Sequence, residues 1–230
     1  MKVVFHYDAG PNLVAKLKSL SDSGLFVDVV SVRDQAGLEE ALKDCEVLWH
    51  VMEPITAAHI RIAPKLRLIQ KIGVGVNTID LECARANGIA VCNMPGTNSQ
   101  AVAEMTLLLM LSALRHASFF DRQTRRGEGW NFPVEIQDTL GEISGKVVGF
   151  VGFGEVPRRL SPVLKAMGAR ILYTATGPKQ TRDAKWRELN ELLGEADIIS
   201  VHIPLTDATA NLVDADAFGK MKPGAVFVNT

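Results

Sequence analysis

The chain has 230 residues, 47% of them hydrophobic and 22% charged, a composition that excludes a disordered, collagen-like or coiled-coil protein. The 25 Lys and Arg residues against 26 Asp and Glu leave a net charge of -1, so no overall electrostatic field attracts nucleic acid or acidic lipid. No apolar run is long enough to span a membrane. Three widely spaced cysteines fit neither a disulfide framework nor a zinc site, and no signal peptide is visible, so we expect a cytoplasmic protein.

Short apolar runs alternate with helical patterns through the first part of the chain. We predict strands at 2–5, 25–30, 47–51, 66–71 and 89–92, and helices at 10–20, 38–43, 56–62 and 79–86. This alternation is typical of an α/β fold, with a parallel sheet covered by helices on both faces.

A long apolar helix and a polar stretch then interrupt the alternation. Thr97 and Gln100 have the spacing of a capping box for a helix that runs to about Arg115. Its apolar residues surround the helix almost completely, which predicts burial on both sides, as in a helix between two domains. The polar residues 121–145 are expected to form an irregular connection. We interpret this connection as an arm that packs on a partner subunit. A second alternating unit follows, with strands at 146–151, 170–173, 197–201 and 225–228 and helices at 155–167 and 188–193.

The sequence VGFVGFG at 148–154 joins a buried strand directly to a helix. Gly152 permits the tight turn, Gly154 lets a pyrophosphate approach the backbone, and the free N–H groups of the helix start favour its negative charge. The third glycine of the dinucleotide fingerprint is replaced by Pro157, which is bulkier where helix and strand pack. The alternative is a structural turn with no ligand.

The strand after this helix ends without the carboxylate that binds the ribose of NAD in the same fingerprint. Thr174 stands near that position, and Lys179 and Arg182 follow. A missing acid beside two cations suits the 2′-phosphate of NADP. The alternative, that both cations are solvated loop charges, stays open.

A second glycine loop, KIGVGVNTID at 71–80, follows a predicted strand. The N–H groups of Val74 and Gly75 can form a nest for a carboxylate, with positive charge from Lys71. The loop alone is equally consistent with a simple turn.

The five histidines show no metal-binding spacing, and neither a GxSxG elbow nor a Cys–His pair supports hydrolase chemistry. His50 ends a predicted strand, where it lines a substrate pocket or is a buried structural histidine. His202 ends another, at the edge where adenosine of a dinucleotide binds. His59 and His116 lie in helical patterns and are interpreted as structural.

These motifs together resemble the D-isomer-specific 2-hydroxyacid dehydrogenases, the family of phosphoglycerate dehydrogenase and of glyoxylate and hydroxypyruvate reductases. The resemblance also covers NMPGTNSQAVAE at 93–104, HIPLTDATANLV at 202–213 and MKPGAVFVNT at 221–230. It implies a flavodoxin-like substrate domain at 1–103 and a doubly wound Rossmann dinucleotide-binding domain at 104–230. It also implies NADP or NAD as cofactor, a small 2-keto or 2-hydroxy acid as substrate, and a homodimer.

The resemblance assigns roles to individual residues. On the substrate side, Val74 and Gly75 bind the carboxylate through their amides with Asn98 nearby. On the cofactor side, Glu155 and Val156 face the pyrophosphate, Thr174 takes the ribose position, His202, Pro204 and Thr209 surround adenosine, and Asn229 and Thr230 lead to the nicotinamide.

The family's catalytic arginine, carboxylate and histidine are expected beyond Thr230, and none of the five histidines here matches the catalytic one. An apolar strand at 225–228 and an unfinished dinucleotide domain also suggest a fragment of a longer enzyme. We therefore expect the intact protein to be an NAD(P)-dependent oxidoreductase and residues 1–230 alone to be inactive. The alternatives are a catalytically inactive dinucleotide-binding regulatory protein, or an enzyme of the same fold acting on formate or phosphonate.

Overall fold

Ten strands and ten α-helices follow one another along the chain and form two parallel sheets of five strands each. The computed structural model describes residues 1–230, which divide into two units, Met1–Thr97 and Asn98–Thr230. The division lies just before helix α5 (Ser99–Leu114), whereas the predicted boundary at Ala103 falls inside that helix.

The first unit has the strand order β2-β1-β3-β4-β5, the order of flavodoxin-like folds. One face of its sheet packs Val4, Leu48 and Ile69 against apolar residues of the surrounding helices. Its elements are β1 Lys2–His6, α1 Pro11–Lys18, β2 Phe26–Val30, α2 Gln35–Leu42, β3 Val47–His50, α3 Ala57–Arg61, β4 Leu68–Lys71, α4 Leu81–Ala86 and β5 Ala90–Cys92.

The second unit has the order β10-β9-β6-β7-β8, which is the Rossmann order of strands. Its central strand β6 is buried at every residue, with a hydrophobic cluster on each face. The elements after α5 are α6 Ala117–Arg125, α7 Glu135–Thr139, β6 Val147–Val151, α8 Glu155–Ala166, β7 Arg170–Thr174, β8 Lys185–Trp186, α9 Leu189–Glu195, β9 Ile198–Val201, α10 Ala215–Gly219 and β10 Val226–Asn229. The predicted fold class is confirmed in both units.

Every predicted strand and helix is present, and most ends differ from the prediction by one to three residues. Aspartate side chains cap three of the helix starts: Asp34 accepts from the N–H of Gly37 at 2.8 Å, Asp80 from the N–H of Cys83 at 2.9 Å, and Asp214 from the N–H of Ala217 at 2.9 Å. The first helix ends at Lys18 and continues as a 3-10 turn, Ser19–Ser23. Neither β8 nor α10 was predicted, and α6 and α7 occupy much of the region predicted to be irregular.

Two predictions about α5 are wrong. Its N-cap is Asn98, so Thr97 lies one residue too early to cap the helix, and its hydroxyl instead donates to the carbonyl of Met94 at 3.0 Å. The helix packs on α8 and β10 with one face only. Met105 is 49% exposed and Leu108 56% exposed on the other face, where both-sided burial was expected.

No single helix is long and apolar enough to cross a membrane. Helices α5 and α6 reach that length and apolarity only when taken together, across a bend of 69°.

Candidate functional site

Three strands of the second unit converge at Gly152, directly after β6. A side chain at Gly152 would place its Cβ 2.4 Å from the carbonyl oxygen of His202, and the residue has a φ of +97°. The N–H of Gly152 donates to Thr174 at 2.9 Å, and the N–H of His202 donates to Val151 at 2.7 Å. Only glycine fits a position with this conformation and this close an approach.

Gly154 has a different environment, because it faces open space. Apart from Gly154 and its two chain neighbours, no protein atom lies within 4 Å of the position that a Cβ would take, and its φ of -91° is open to any residue. It is the N-cap of α8, and the N–H groups of Glu155 and Val156 have no acceptor in the protein. The free amides, the positive end of a 12-residue helix and the open space together fit a pyrophosphate.

Pro157 is accommodated in the first turn of α8. It is buried, and its carbonyl accepts from the hydroxyl of Ser161 at 2.7 Å. The first bond of the helix, from the N–H of Arg158 to the carbonyl of Gly154, is present at 3.2 Å. Proline therefore removes only an N–H that would have no helical acceptor, which leaves two free amides at this helix start instead of three.

His202 is a packed residue at the end of β9. Its ring lies 5.7 Å from that of Phe150, and Nε2 is 2.8 Å from the hydroxyl of Ser200. Burial lowers the pKa of His202 to about 4, so the imidazole is neutral at physiological pH.

The other predicted cofactor residues lie around the same sheet edge. Pro204, Thr209 and Asn229 line a cavity of about 450 Å³ with residues from β9 to β10. The hydroxyl of Thr209 donates to the carbonyl of Pro204 at 2.6 Å and accepts from the N–H of Thr206 at 2.8 Å, which closes the loop after β9. The Thr230 hydroxyl is 3.3 Å from that of Thr106 on α5.

The loop after β4 in the first unit presents free amides. The N–H groups of Val74 and Gly75 have no acceptor in the protein. The carbonyl of Val74 accepts from the side-chain amide of Asn93 at 2.8 Å, and the carbonyl of Gly73 accepts from the N–H of Met94 at 2.8 Å. With its carbonyls occupied, the loop is left with amide donors that suit a carboxylate.

His50 and Lys71 are buried at the carboxyl ends of β3 and β4. His50 is fully buried, and its Nε2 is 2.8 Å from the hydroxyl of Thr78, which lies in the same loop. Lys71 is 7% exposed and its ammonium donates to the carbonyl of Val51. Burial lowers the pKa of Lys71, and burial together with the neighbouring Lys71 and His6 lowers that of His50 to about 4. His50 therefore contacts the loop through Thr78, whereas the ammonium of Lys71 is bonded to the segment after β3.

His6 was not singled out from the sequence. It ends β1 in register with His50 on β3, and neither of its ring nitrogens has a partner. The side chain is 1% exposed, and burial lowers its pKa. These two strands form the switch point of the first sheet, so the strand order, once known, is the signal that identifies His6.

Asn98, which was predicted to lie near the carboxylate, is the first residue of the second unit. Its carbonyl accepts from the N–H of Val102 at 2.9 Å, and its side chain makes no capping bond. No group of three or more His, Cys, Asp or Glu side chains in the chain has a metal-binding arrangement.

Comparison with known proteins identifies the family of the chain. Residues 107–230 match the family described as D-isomer specific 2-hydroxyacid dehydrogenase, NAD binding domain. The chain is 39% identical over 175 residues to a glyoxylate reductase of Aeropyrum pernix, covering 73% of this chain and 52% of that protein. It is 33% identical over 177 residues to a hydroxypyruvate reductase of Thermotoga maritima, covering 76% of this chain and 56% of the relative.

A solved structure, the NAD-dependent formate dehydrogenase of Staphylococcus aureus in complex with NAD, superposes with a TM-score of 0.90. It is 25% identical, and the match covers 100% of this chain and 73% of that one. The chain thus spans little more than half the length of the two reductases it matches.

The two glycines of the loop after β6 are expected to respond oppositely to substitution. Gly154→Val places a side chain in the open space and should lower the melting temperature only slightly, since valine is a poorer N-cap than glycine. It should weaken NAD(P)H binding about tenfold or more, because the side chain blocks the charge-assisted hydrogen bonds between the pyrophosphate and the free amides. Gly152→Ala should lower the melting temperature, because the new Cβ meets the carbonyl of His202. Thermal unfolding and NAD(P)H fluorescence measure both effects. Unimpaired binding by Gly154→Val would contradict the assignment of the pyrophosphate.

The buried histidines predict a loss of stability in mild acid. His50 and His202 are neutral when folded, with a pKa of about 4, and take up protons on unfolding once the pH falls below about 6.5. The contribution of these two histidines to the free energy of unfolding is therefore complete above pH 6.5. It falls toward pH 4, by roughly 3 kcal/mol for each group. The H50Q/H202Q double variant should lose less stability than wild type between pH 7.5 and 5.0 in thermal unfolding. An equal loss would show that neither group is responsible.

Proposed function

Because the chain belongs to the D-isomer-specific 2-hydroxyacid dehydrogenase family, we propose that the protein is an oxidoreductase acting on small 2-keto acids and the matching D-2-hydroxy acids with NAD(P)H. The observation that carries the proposal is the open helix start at Gly154, where two free amides meet a space without protein atoms. A glycine that packing does not require indicates a ligand that needs the room.

The second unit holds the dinucleotide in this proposal. The amides of Glu155 and Val156 donate to the pyrophosphate, and the dipole of α8 favours its charge. Pro204 and Thr209 lie along the adenosine side, and Asn229 and Thr230 along the nicotinamide side. When bound, the nicotinamide supplies the hydride that passes to or from the substrate carbon.

The first unit holds the substrate carboxylate through the amides of Val74 and Gly75. Asn93 is bonded to the carbonyl of Val74, and His50 is within hydrogen-bond distance of Thr78, so both ends of the loop are anchored. A preorganised pair of amides holds an anion without reorganising when it binds. This geometry fits the carboxylate that every 2-keto acid carries, and glyoxylate and hydroxypyruvate are the first substrates to test.

A homodimer is part of the proposal. Helix α5 exposes Met105, Leu108 and Leu109 on the face turned away from α8 and β10, and Trp130 in the segment after α6 is 96% exposed. Large apolar side chains that lie together on an exposed face are typical of protein–protein contacts.

We also propose a cytoplasmic location. The three cysteines carry free thiols, in keeping with the reducing cytoplasm.

The reductase assignment predicts 2-keto acid-dependent oxidation of NADPH or NADH by the protein purified from its natural source. Loss of absorbance at 340 nm with glyoxylate and hydroxypyruvate is the measurement, and oxidation of formate in the presence of NADP⁺ or NAD⁺ is the comparison. Binding of the cofactor with no turnover of any 2-keto acid would contradict the proposal.

The dimer is tested by Leu108→Glu, which places a charge on the exposed face of α5. In sedimentation velocity we expect a dimer for wild type and a monomer for this variant, because a buried unpaired charge is costly at an interface. Leu81→Glu is the control, since Leu81 is 45% exposed on another helix. A wild-type monomer, or a dimer that survives Leu108→Glu, would refute this interface.

A further inference from the structure

The loop between β7 and β8 decides what lies beside the ribose of a bound dinucleotide. It begins at Thr174, whose carbonyl accepts from the N–H of Gly152, so the strand end lies directly against the glycine loop. No carboxylate occupies the end of β7 to accept the 2′-hydroxyl. The residues that the loop brings back to this place therefore determine the recognition of the ribose.

Arg182, one of the two cations expected here from the sequence, lies elsewhere. It lines a cavity of about 430 Å³ near the amino ends of β7 and β8, together with Arg170 and Lys185. Dinucleotides bind at the opposite, carboxyl edge of a parallel sheet. Arg182 is therefore not available to the ribose.

Arg158, which was not predicted as a cofactor residue, lies near the carboxyl end of β7 instead. It lies in the first turn of α8, and its guanidinium donates to the carbonyl of Gln180 at 3.3 Å, inside the loop after β7. The same group is 5.1 Å from the ring centroid of Phe153, between the two glycines. Arg158 has no carboxylate partner, whereas its neighbour Arg159 pairs with Glu155 at 3.8 Å.

A stack of two aromatic rings fixes the backbone of Lys179, the second cation expected from the sequence, close to the same strand end. The ring of Phe153 lies on that of Tyr173, with centroids 4.0 Å apart and planes at 26°. The hydroxyl of Tyr173 accepts from the N–H of Lys179 at 2.6 Å and donates to its carbonyl at 3.1 Å. The backbone of Lys179 is thus fixed beside β7, and its ammonium has no ion-pair partner in the protein.

We propose that Arg158 and Lys179 form a subsite for the 2′-phosphate of NADPH, so that the protein prefers NADPH to NADH. The inference rests on the proposed dinucleotide site. Two unpaired cations, one of them a planar guanidinium that suits phosphate, lie by a strand end that carries no acid. A dianionic 2′-phosphate can form ion pairs with both cations, whereas the uncharged 2′-hydroxyl of NADH can form none.

The test compares ligands that differ only in the 2′-phosphate. Calorimetric titrations use NADPH against NADH, and 2′,5′-ADP against 5′-AMP, with the wild-type protein and the variants R158Q, K179Q and R182Q. We expect wild type to bind each 2′-phosphorylated ligand about tenfold or more tightly than its counterpart. R158Q and K179Q should each reduce this ratio severalfold while leaving NADH binding unchanged.

The control and the remaining outcomes separate this inference from the proposed function. R182Q should leave every affinity unchanged, because Arg182 lies by the cavity at the amino ends. R158K, which keeps the charge but not the fork, should recover part of the preference. Equal binding of NADPH and NADH, or a loss with R182Q as large as with R158Q, would overturn the subsite and leave the dinucleotide site standing. Failure to bind either dinucleotide would overturn both.

Discussion

The close approach of Gly152 to the carbonyl of His202 is the constraint on which the second unit depends. It brings the ends of β6, β7 and β9 to one point, through the hydrogen bonds of Gly152 to Thr174 and of His202 to Val151. A chain that turns this tightly after β6 starts α8 at once, with its first amides free. The helix start is therefore a consequence of strand packing, and Gly154 adds no side chain to the open space in front of it.

The first unit reaches a comparable result by different means. Its glycine loop is not forced by close strand contact but is held by side chains, with Asn93 bonded to one carbonyl and His50 beside Thr78. One of the supporting groups, His50, is a buried histidine that stays neutral and contacts the loop through Thr78. In both units the free donors lie at the carboxyl edge of a parallel sheet, which is where the strand orders place ligand sites.

The sequence was sufficient for the sheets because fully buried parallel strands are continuous apolar runs, as in VVGFV of β6. It was insufficient where packing decides. The apolar composition of α5 does not reveal that only one face meets α8 and β10, and the two-residue strand β8 has no pattern to detect. The same limit applies at the site, where the sequence pointed to Arg182 and the structure places Arg158 there instead. The path of the loop after β7 is fixed by the hydroxyl of Tyr173, a contact that residue spacing alone cannot indicate.

We propose that two separate pairs of backbone amides, one in each unit, bind the two anionic parts of the reactants. Amide chemical shifts measured by ¹H–¹⁵N NMR test it directly, with NADPH and then oxalate, an unreactive dicarboxylate, added to the labelled protein. We expect NADPH to shift the signals of Glu155 and Val156, and oxalate to shift those of Val74 and Gly75. Signals that stay in place at both loops, or that move only elsewhere in the chain, would contradict it.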